Sequence, residues 1–558
     1  MNIEQGDLRG GGRRRRSTYF ILAAAIAIGA AAVVALIGMR QEARLRVTCI
    51  GAIDGERVHR AVSGRDVILK AVVAAPRGAN LEYEWDFGDG SKPVKQRVVD
   101  PYNLGIRHRY PDAGKSGVTY KAMVTVRDLH TGETKDDSYP VLFCAEDDNT
   151  RGKIMREDGL WALHTSMARR DDPGKICRGT WSGNSFPEAI TAFGALAFQL
   201  NGYTSWQDRS KRPYAETVDR AITYVLGELK KAEIKPQPAG NPDSNGNGYG
   251  LYAHQEMPLY VTPIIALALI ADRMPDRTAS SDSETVDGRT MRDIVRDMVD
   301  FIAFAQTEDG DARGGWRYTP NKEADMSVTQ WPVLAMISAR QNLGIDAPAW
   351  VRKELLEHWL VYIQAKDGAF WYKDLSSTDS TAPVRTAGGL ICFSFCGLNA
   401  SDDKVRRAID AIGRDWGNDN VGNLYTMYTI TKAAKLTSPH VAKFGQHDWD
   451  SEYKDHLFKK QAADGTFGVY EHGSMASKDL ATAWGVLILT PDVLIAATER
   501  SVLLWVLIAI LLLVILMRVA VRERRKVSQL EEVQPLPIET VEEPEHKPER
   551  EIANPPDP

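Results

Sequence analysis

The pattern of apolar and polar positions divides the chain into stretches of different structure. Residues 18–39 and 502–517 are continuous apolar runs, residues 45–145 alternate with a period of two, and residues 154–490 have helical periodicity. An apolar run of about 20 residues is long enough to cross a bilayer as a helix, whereas a period of two is typical of strands and a period of 3.6 of helices. The pattern therefore predicts a multidomain protein with a transmembrane helix at each end, over residues 18–39 and 501–521.

Basic clusters beside the two apolar runs predict their orientation. Four arginines precede the first run, and a basic cluster follows the second: Arg518, Arg522, Arg524, Arg525 and Lys526. Because basic residues stay on the cytoplasmic side, both termini are expected in the cytoplasm of a bacterium and residues 40–500 outside its inner membrane. A cleaved signal peptide is the alternative for the first run, but that run is long for one and Gly38-Met39-Arg40 is a poor cleavage site.

The two ends of the chain are polar. Residues 1–17 form a basic cytoplasmic segment, and residues 522–558 are rich in Glu and Pro. Such a composition buries too little apolar surface to fold, so a disordered tail is expected. A cytoplasmic partner for this tail and a solvated tail without function both remain open.

Residues 45–145 predict a β-sandwich of short strands separated by turn residues. Residues 83–90 read Tyr-Glu-Trp-Asp-Phe-Gly-Asp-Gly, and residues 108–114 read His-Arg-Tyr-Pro-Asp-Ala-Gly. Both strings resemble the polycystic kidney disease (PKD) domain, an immunoglobulin-like module. The resemblance implies a spacer or a protein- or sugar-binding unit without catalysis, and here it suggests a module that holds the next domain away from the bilayer.

Two pairs of residues in this segment carry further chemistry. Asp86 and Asp89 offer carboxylates to a calcium ion, but closing the Gly-containing turn through backbone hydrogen bonds is the preferred interpretation. Cys49 and Cys144 bracket the segment, and outside the cytoplasm such a pair is a candidate disulfide.

Residues 154–490 contain a repeated turn in which Gly and an aromatic residue precede an apolar run. The starts lie about 50–70 residues apart, a spacing that marks a repeat architecture. Six amphipathic helices alternate with six that are apolar nearly all round, and helices of the second kind must be buried on every side. A closed (α/α)6 toroid satisfies both kinds, whereas an open superhelix would need polar capping repeats.

The third turn carries a family resemblance. Residues 314–320 read Gly-Gly-Trp-Arg-Tyr-Thr-Pro, and residues 325–331 read Asp-Met-Ser-Val-Thr-Gln-Trp. These strings are similar to the prenyltransferase/squalene-cyclase repeat family. The resemblance implies a terpenoid cyclase-like toroid with a central cavity.

The cyclase chemistry of that family is only partly represented. The family's acid string is Asp-x-Asp-Asp, whereas residues 323–326 read Glu-Ala-Asp-Met. Asp325 occupies the position of the acid and Glu323 that of the first carboxylate, but Met326 cannot assist the acid. An N-cap role for Asp325 is the preferred alternative. Cys392 and Cys396 do not make a complete zinc set, because no His lies nearby in sequence, and buried packing is preferred for them.

The remaining candidates are aromatic residues that would line a cavity mouth, with repeat-to-repeat packing as the alternative. They are Trp316, Tyr318, Trp331, Phe370, Trp371, Phe467 and Tyr470. The net charge of −5 argues against a nucleic-acid partner, and the sequence indicates no cofactor and no metal. We therefore expect a membrane-anchored binding or scaffold protein with a protein, glycan or lipid partner, and a terpenoid cyclase or lipid-modifying enzyme that uses Asp325 is the alternative.

Overall fold

The structure, a computed structural model, describes residues 44–51, 57–111, 116–182, 185–375, 381–472, 475–491 and 517–518. The chain divides into two units, Met1–Ile495 and Ala496–Pro558, and every element below lies in the first. Of the second unit, Met517 and Arg518 are described, in a helical turn. The predicted spans 18–39 and 501–521 otherwise lie outside the described residues, as do the two polar ends of the chain. Within the described ranges, no helix combines the length and the apolar character that a membrane crossing requires.

Short strands from Arg46 to Phe143 form the first domain, a sandwich-like arrangement around one apolar core. A five-stranded sheet has the order β2-β9-β8-β5-β6, in which β2 and β9 are parallel and the other pairs antiparallel. The opposing strands pair as β1 with β4 and β3 with β7. The strands are β1 Arg46–Cys49, β2 His59–Ala61, β3 Val67–Leu69, β4 Ala71–Ala74, β5 Leu81–Asp86, β6 Val94–Arg97, β7 Ile106–His108, β8 Thr119–Asp128 and β9 Thr134–Phe143.

Strand β5 shows why this segment forms a sheet. Leu81, Tyr83 and Trp85 are buried, whereas the glutamates between them face outward. Trp85 is fully buried, and its indole N–H donates to the Leu104 carbonyl at 2.8 Å. The alternation thus places every second side chain in the core, and the predicted β-sandwich is confirmed.

The second domain is helical and has two layers of helices. The inner helices are α2 Pro187–Gln199, α4 Pro258–Ala271, α6 Met326–Leu343, α9 Pro383–Phe395, α12 Leu424–Leu436 and α14 Lys478–Leu489. The outer helices are α1 Asp148–Ser166, α3 Tyr214–Gly227, α5 Met291–Phe304, α7 Ala349–Glu354, α10 Asp403–Arg414 and α13 Trp449–Lys460. Helix α7 continues through the π-helical turn Leu355–Leu360 into the short helix α8 Val361–Ile363. The smaller elements are α11 Asn418–Gly422, β10 Ala168–Arg170, β11 Arg178–Thr180, β12 Lys230–Glu233, β13 Tyr249–Tyr252, β14 Tyr470–His472 and β15 Met475–Ser477.

The inner helices form a closed ring. Each packs against the next in chain order, and α14 returns to pack against α2. Helix α4 is buried on almost every side, whereas α10 buries a single stripe of Val405, Ala408, Ala411 and Ile412. This difference is the one that the hydrophobic periodicity predicts for inner and outer helices.

One outer helix separates each inner helix from the next along the chain. Because the two helices of a hairpin run in opposite directions, all six inner helices begin at the same end of the ring. We call this end the N-terminal face.

Helix α1 joins the two domains, because it is buried against the sandwich as well as against the ring. Lys70, between β3 and β4, is 1% exposed, and its Nζ lies 2.7 Å from Oδ1 of Asp158 on α1. Ile50 and Ile68 of the sandwich belong to the same apolar cluster as the ring helices. The sandwich is therefore docked on the side of the ring, and its expected role of holding the ring away from the bilayer stays a prediction.

A second buried contact at this interface involves Glu157 of α1. His59 Nδ1 lies 4.0 Å from Glu157, and Arg60 lies 3.4 Å from it. Burial, together with the cations Lys70 and Arg60, holds the pKa of His59 well below its usual value. Desolvation thus outweighs the attraction of Glu157, and His59 stays neutral while Arg60 carries the charge opposite Glu157.

The Lys70–Asp158 pair provides a test of the domain interface. Lys70→Met leaves Asp158 buried without its cation, and we expect it to lower the free energy of unfolding by about 3–5 kcal/mol. Lys70→Met with Asp158→Leu should recover most of this loss. The matched control is Arg109→Ala, which breaks the exposed Arg109–Asp66 pair and should cost about 1 kcal/mol or less. Urea unfolding monitored by tryptophan fluorescence measures the free energy of unfolding of all three variants. If Lys70→Met and Arg109→Ala lowered it equally, the result would contradict the docked interface.

Candidate functional site

The N-terminal face of the ring carries the longest connections. Residues 228–257 link α3 to α4 and residues 305–325 link α5 to α6, whereas residues 344–348 suffice between α6 and α7 at the opposite end. Long loops on a rigid scaffold are where binding residues concentrate. The N-terminal face is therefore the expected location of a site.

Aromatic side chains fill the axis of the ring below this face. Phe193 of α2, Trp331 of α6, Tyr428 of α12 and Trp484 of α14 are each at most 2% exposed. The Phe193 ring centroid lies 5.5 Å from that of Trp331, 5.9 Å from that of Tyr428 and 5.6 Å from that of Trp484. We call these four residues the aromatic plug. They lie on the axis of the ring, where the family resemblance implies a central cavity.

The volume beyond the plug is small. A void of about 20 Å³ lies between Leu200, Leu267 and Ile337, next to Tyr428. This is room for about one water molecule. A substrate-sized pocket measures roughly 300–1,000 Å³, so this void does not accommodate an isoprenoid chain.

Partly exposed aromatic residues surround the plug on the N-terminal face. The Phe186 ring centroid lies 5.0 Å from that of His254 and 5.9 Å from that of Tyr260. Tyr260 contacts the plug residue Trp331 at 6.0 Å between ring centroids, and Tyr425 contacts the plug residue Trp484 at 5.9 Å. We call Phe186, His254, Tyr260 and Tyr425 the aromatic mouth. It is a shallow surface with a buried aromatic floor.

Two residues of the mouth hold a left-handed backbone conformation. Phe186 has φ 58° and His254 has φ 63°, a region that bulky residues adopt at a cost of about 1–3 kcal/mol each. The Met257 backbone N–H donates to Nδ1 of His254 at 3.2 Å, which fixes the orientation of the ring. Strained backbone concentrates at functional positions, and here it presents two neighbouring rings on one surface.

Asp325 is the N-cap of α6. It is fully buried, and its Oδ1 accepts from the Val328 backbone N–H at 2.9 Å and from the Ser327 hydroxyl at 2.7 Å. The Tyr372 hydroxyl donates to Oδ2 at 3.4 Å, and the Arg317 Nε lies 3.2 Å from the same oxygen. Burial raises the pKa of Asp325 in spite of these contacts. The preferred prediction of a helix cap is confirmed.

Glu323 pairs with two cations. Its side chain is 46% exposed and pairs with Lys373 Nζ at 2.9 Å and with Arg317. The hydrogen bond from Lys373 lowers the pKa of Glu323, and Arg317 adds to the effect. Arg317 thus bridges two carboxylates, an arrangement that favours their charged forms.

Most of the predicted cavity aromatics pack inside the repeats. Trp316 and Phe370 are fully buried, and the Trp316 indole N–H donates to the Ile302 carbonyl at 2.8 Å. Phe467 is 6% exposed, and Tyr318 and Trp371 are partly buried against the helical core. Trp331 alone of the described candidates reaches the ring axis, and the Tyr470 side chain lies outside the described part of the chain. Repeat packing therefore accounts for the candidates other than Trp331 and Tyr470.

The residues of the mouth were not predicted from the sequence. For Phe186, the sequence offered one signal, which is its position directly before Pro187 at the start of a helix. Nothing in the turn motif points to His254, Tyr260 or Tyr425, because they lie beyond the Gly-aromatic turns.

The cysteine candidates are free thiols. The Cys49 backbone N–H donates to Asp137 Oδ2 at 2.9 Å, and seven residues of extended chain, about 23 Å, separate Asp137 from Cys144. A disulfide needs Cα atoms within about 7 Å, so the structure does not bring Cys49 and Cys144 together. Cys392 is fully buried, and the Cys396 thiol donates to the Arg352 carbonyl at 3.7 Å.

Asp86 and Asp89 close their turn, as the preferred interpretation predicts. Asp86 Oδ1 accepts from the Gly88 backbone N–H at 2.9 Å, and Asp89 Oδ1 accepts from that of Ser91 at 2.9 Å. Asp89 Oδ2 also lies 2.7 Å from His108 Nε2. These contacts explain both carboxylates without a metal.

Fold and site together define a β-sandwich docked on a helical ring with an aromatic mouth. Residues 56–129 match the PKD domain family, which confirms the resemblance of the first domain. A family 76 glycoside hydrolase from a bovine Bacteroides thetaiotaomicron strain is structurally similar with a TM-score of 0.39 and 9% identity, over 80% of this chain and 98% of that chain. At this TM-score the similarity carries no functional argument. No curated protein matches the chain, and the resemblance to squalene-cyclase repeats stays a prediction.

Substitutions of Asp325 test the cap. Asp325→Asn keeps a side-chain oxygen for the Val328 N–H, so we expect it to cost about 1 kcal/mol or less, whereas Asp325→Ala should cost about 1–2 kcal/mol. The control is Asp448→Ala at the cap of α13, where the Ser451 N–H donates at 3.3 Å. Urea unfolding compares the three variants. If Asp325→Asn lowered the free energy of unfolding as much as Asp325→Ala does, the stabilising feature would be the charge of Asp325 and not its N-cap hydrogen bond.

Proposed function

We propose that the protein is a membrane-anchored, extracytoplasmic binding or scaffold protein whose helical ring binds a partner at the aromatic mouth. The observation that carries the proposal is the aromatic plug, because it fills the place where an enzyme of the resembled family would hold its substrate. Because the plug fills the described part of the ring axis, the N-terminal face is the surface that we propose for binding. The PKD match of the first domain supports a binding role.

The chemistry of the mouth supports a partner with both flat apolar and hydrogen-bonding groups. Aromatic rings contribute area with little loss of side-chain entropy, and their polar tips add hydrogen bonds. Near the mouth, Tyr372 lies under the Arg385 guanidinium at 5.0 Å, whereas Arg317 and Lys373 are paired with Glu323. A glycan or a peptide with acidic and apolar groups suits this surface better than an isoprenoid chain, which needs an enclosed apolar volume.

Docking of the sandwich on α1 supports a scaffold role. A buried ion pair and a shared apolar cluster fix the sandwich on the side of the ring, so a partner could contact both domains at a defined spacing. The expected anchors at residues 18–39 and 501–521 would hold this unit at the outer surface of the inner membrane. The tail of residues 522–558 would then be accessible to a cytoplasmic partner.

A terpenoid cyclase or another lipid-modifying enzyme with Asp325 as general acid is the second candidate. The raised pKa of Asp325 favours it, because a protonated carboxyl is what such an acid requires. Against it stand the Arg317 contact, which favours the carboxylate, and the plug. Incubation with squalene, followed by mass spectrometry of products, separates the candidates: we expect no product from the unmodified protein or from Asp325→Asn.

Site-specific photo-crosslinking in cells tests the binding role. A benzoylphenylalanine at Tyr260 or Tyr425 should give a discrete adduct, because these positions lie on the mouth. The same group at Val361, which is 54% exposed on the outer layer, is the matched control and should give none. Mass spectrometry of the adduct identifies protein, glycan or lipid. Equal labelling at all three positions, or a squalene product lost in Asp325→Asn, would contradict the proposal.

A further inference from the structure

The end of the ring opposite the mouth, where the inner helices end, presents an exposed indole. Residues 200–213 connect α2 to α3 at this end. Trp206 of this connection is 50% exposed, and its indole N–H donates to the Asp272 carbonyl after α4 at 3.0 Å. In the ranges that the structure describes, it is the one exposed tryptophan. A tryptophan ring with one polar edge is typical of the boundary between water and a lipid bilayer.

Strand β1 lies beside the same connection. A cleft of about 410 Å³ is lined by the end of β1 and by residues 210–214, and the charge of Arg46 acts on Asp208. Residues 40–43 separate the predicted span 18–39 from Arg44, and this segment reaches at most about 18 Å. A first span in the membrane therefore keeps the start of β1, and with it the connection 200–213, close to the bilayer.

The chain also leaves the ring at this connection. Helix α14 ends at Leu489, and the Asn201 side-chain amide donates to the Thr490 hydroxyl at 3.0 Å. Residues 491–500 separate Thr490 from the predicted span 501–521, a reach of at most about 40 Å. Entry and exit of the chain thus meet at residues 200–213, and two spans in one membrane place this end of the ring toward it.

The charges at this place suit an anionic lipid surface. Asp208 is the one acidic residue of the connection 200–213. The connection and the start of β1 together expose four basic side chains, which are Arg44, Arg46, Arg209 and Lys211. Basic residues beside a membrane span are attracted to anionic headgroups.

The rest of this end of the ring is less suited to such a surface. The connection 272–290 exposes four acidic residues, which are Asp276, Asp282, Glu284 and Asp287. An anionic bilayer repels them. Contact is therefore expected at the connection 200–213 and the start of β1, and not across the whole end of the ring.

We propose that this surface lies on the outer face of the membrane, with Trp206 in the headgroup region and Arg44, Arg46 and Lys211 on anionic lipid headgroups. We call these four residues the lipid patch. The inference rests on the anchoring in the proposed function, and it adds the orientation of the ring. An inner helix such as α4, with 14 residues, is about 21 Å long. The mouth at its other end therefore points away from the bilayer, toward a partner outside the membrane.

Photo-crosslinking of the full-length protein in vesicles of phosphatidylcholine and phosphatidylglycerol tests the orientation. Benzoylphenylalanine at Trp206 should give an adduct with the mass of a phospholipid. Leu375, in the connection from α8 to α9 on the N-terminal face, is 51% exposed and is the matched control, with at least tenfold less lipid adduct expected. Equal lipid labelling at both positions, or none at Trp206, would overturn the proposal. An adduct of protein mass at Trp206 in cells would assign the surface to a protein and would also overturn it.

Charge reversal tests the headgroup contact. Arg46→Glu combined with Lys211→Glu should lower the yield of the lipid adduct at Trp206 at least threefold in vesicles with phosphatidylglycerol, and by less in pure phosphatidylcholine. The control is Lys230→Glu, an exposed residue on the N-terminal face, which should leave the yield unchanged. An unchanged yield in the double variant would overturn the assignment of the basic residues.

Extraction of membranes with alkaline carbonate separates this inference from the proposed function. A chain that carbonate releases has no anchor, and the proposed anchoring and the orientation would both fail. A chain that stays in the bilayer but gives no lipid adduct at Trp206 would overturn the orientation alone.

Discussion

Packing of the aromatic plug on the ring axis is the constraint on which the rest of the structure depends. Six apolar helices that close into a ring must fill their centre, because an unfilled apolar core forfeits contacts on every side. Phe193, Trp331, Tyr428 and Trp484 meet edge to face or stacked at 5.5–6.2 Å, the separations that aromatic pairs prefer. The same packing fills the described part of the ring axis, and the mouth lies beside it on the N-terminal face.

The interface with the sandwich follows from the ring. An outer helix of a toroid normally exposes one side to water, but α1 carries Glu157 and Asp158 on the side that meets the sandwich. Buried carboxylates require partners, and Lys70 and Arg60 provide them from the sandwich. Together with Ile50 and Ile68, these pairs turn a domain that resembles a spacer into a fixed part of one body.

Hydrophobic periodicity was sufficient to predict the two helix layers, the sandwich and the order of the domains. The alternation of amphipathic and apolar helices over residues 154–490 predicted the two layers, and an N-cap role was predicted for Asp325, which caps α6. What the periodicity could not predict is which inner side chains meet on the axis, since this depends on ring closure. The mouth was missed because the left-handed backbone of Phe186 and His254 leaves no trace in composition.

The unfolding free energy of Phe193→Ala tests the filled ring most directly, because Phe193 contacts the three other plug residues. Denaturant unfolding of the full-length protein, followed by far-UV circular dichroism, reports the transition of the helical domain. A packed axis predicts a loss of about 3–5 kcal/mol, the cost of emptying a fully buried phenylalanine site. A loss below about 1 kcal/mol would mean that Phe193 faces an open cavity, and it would contradict the account.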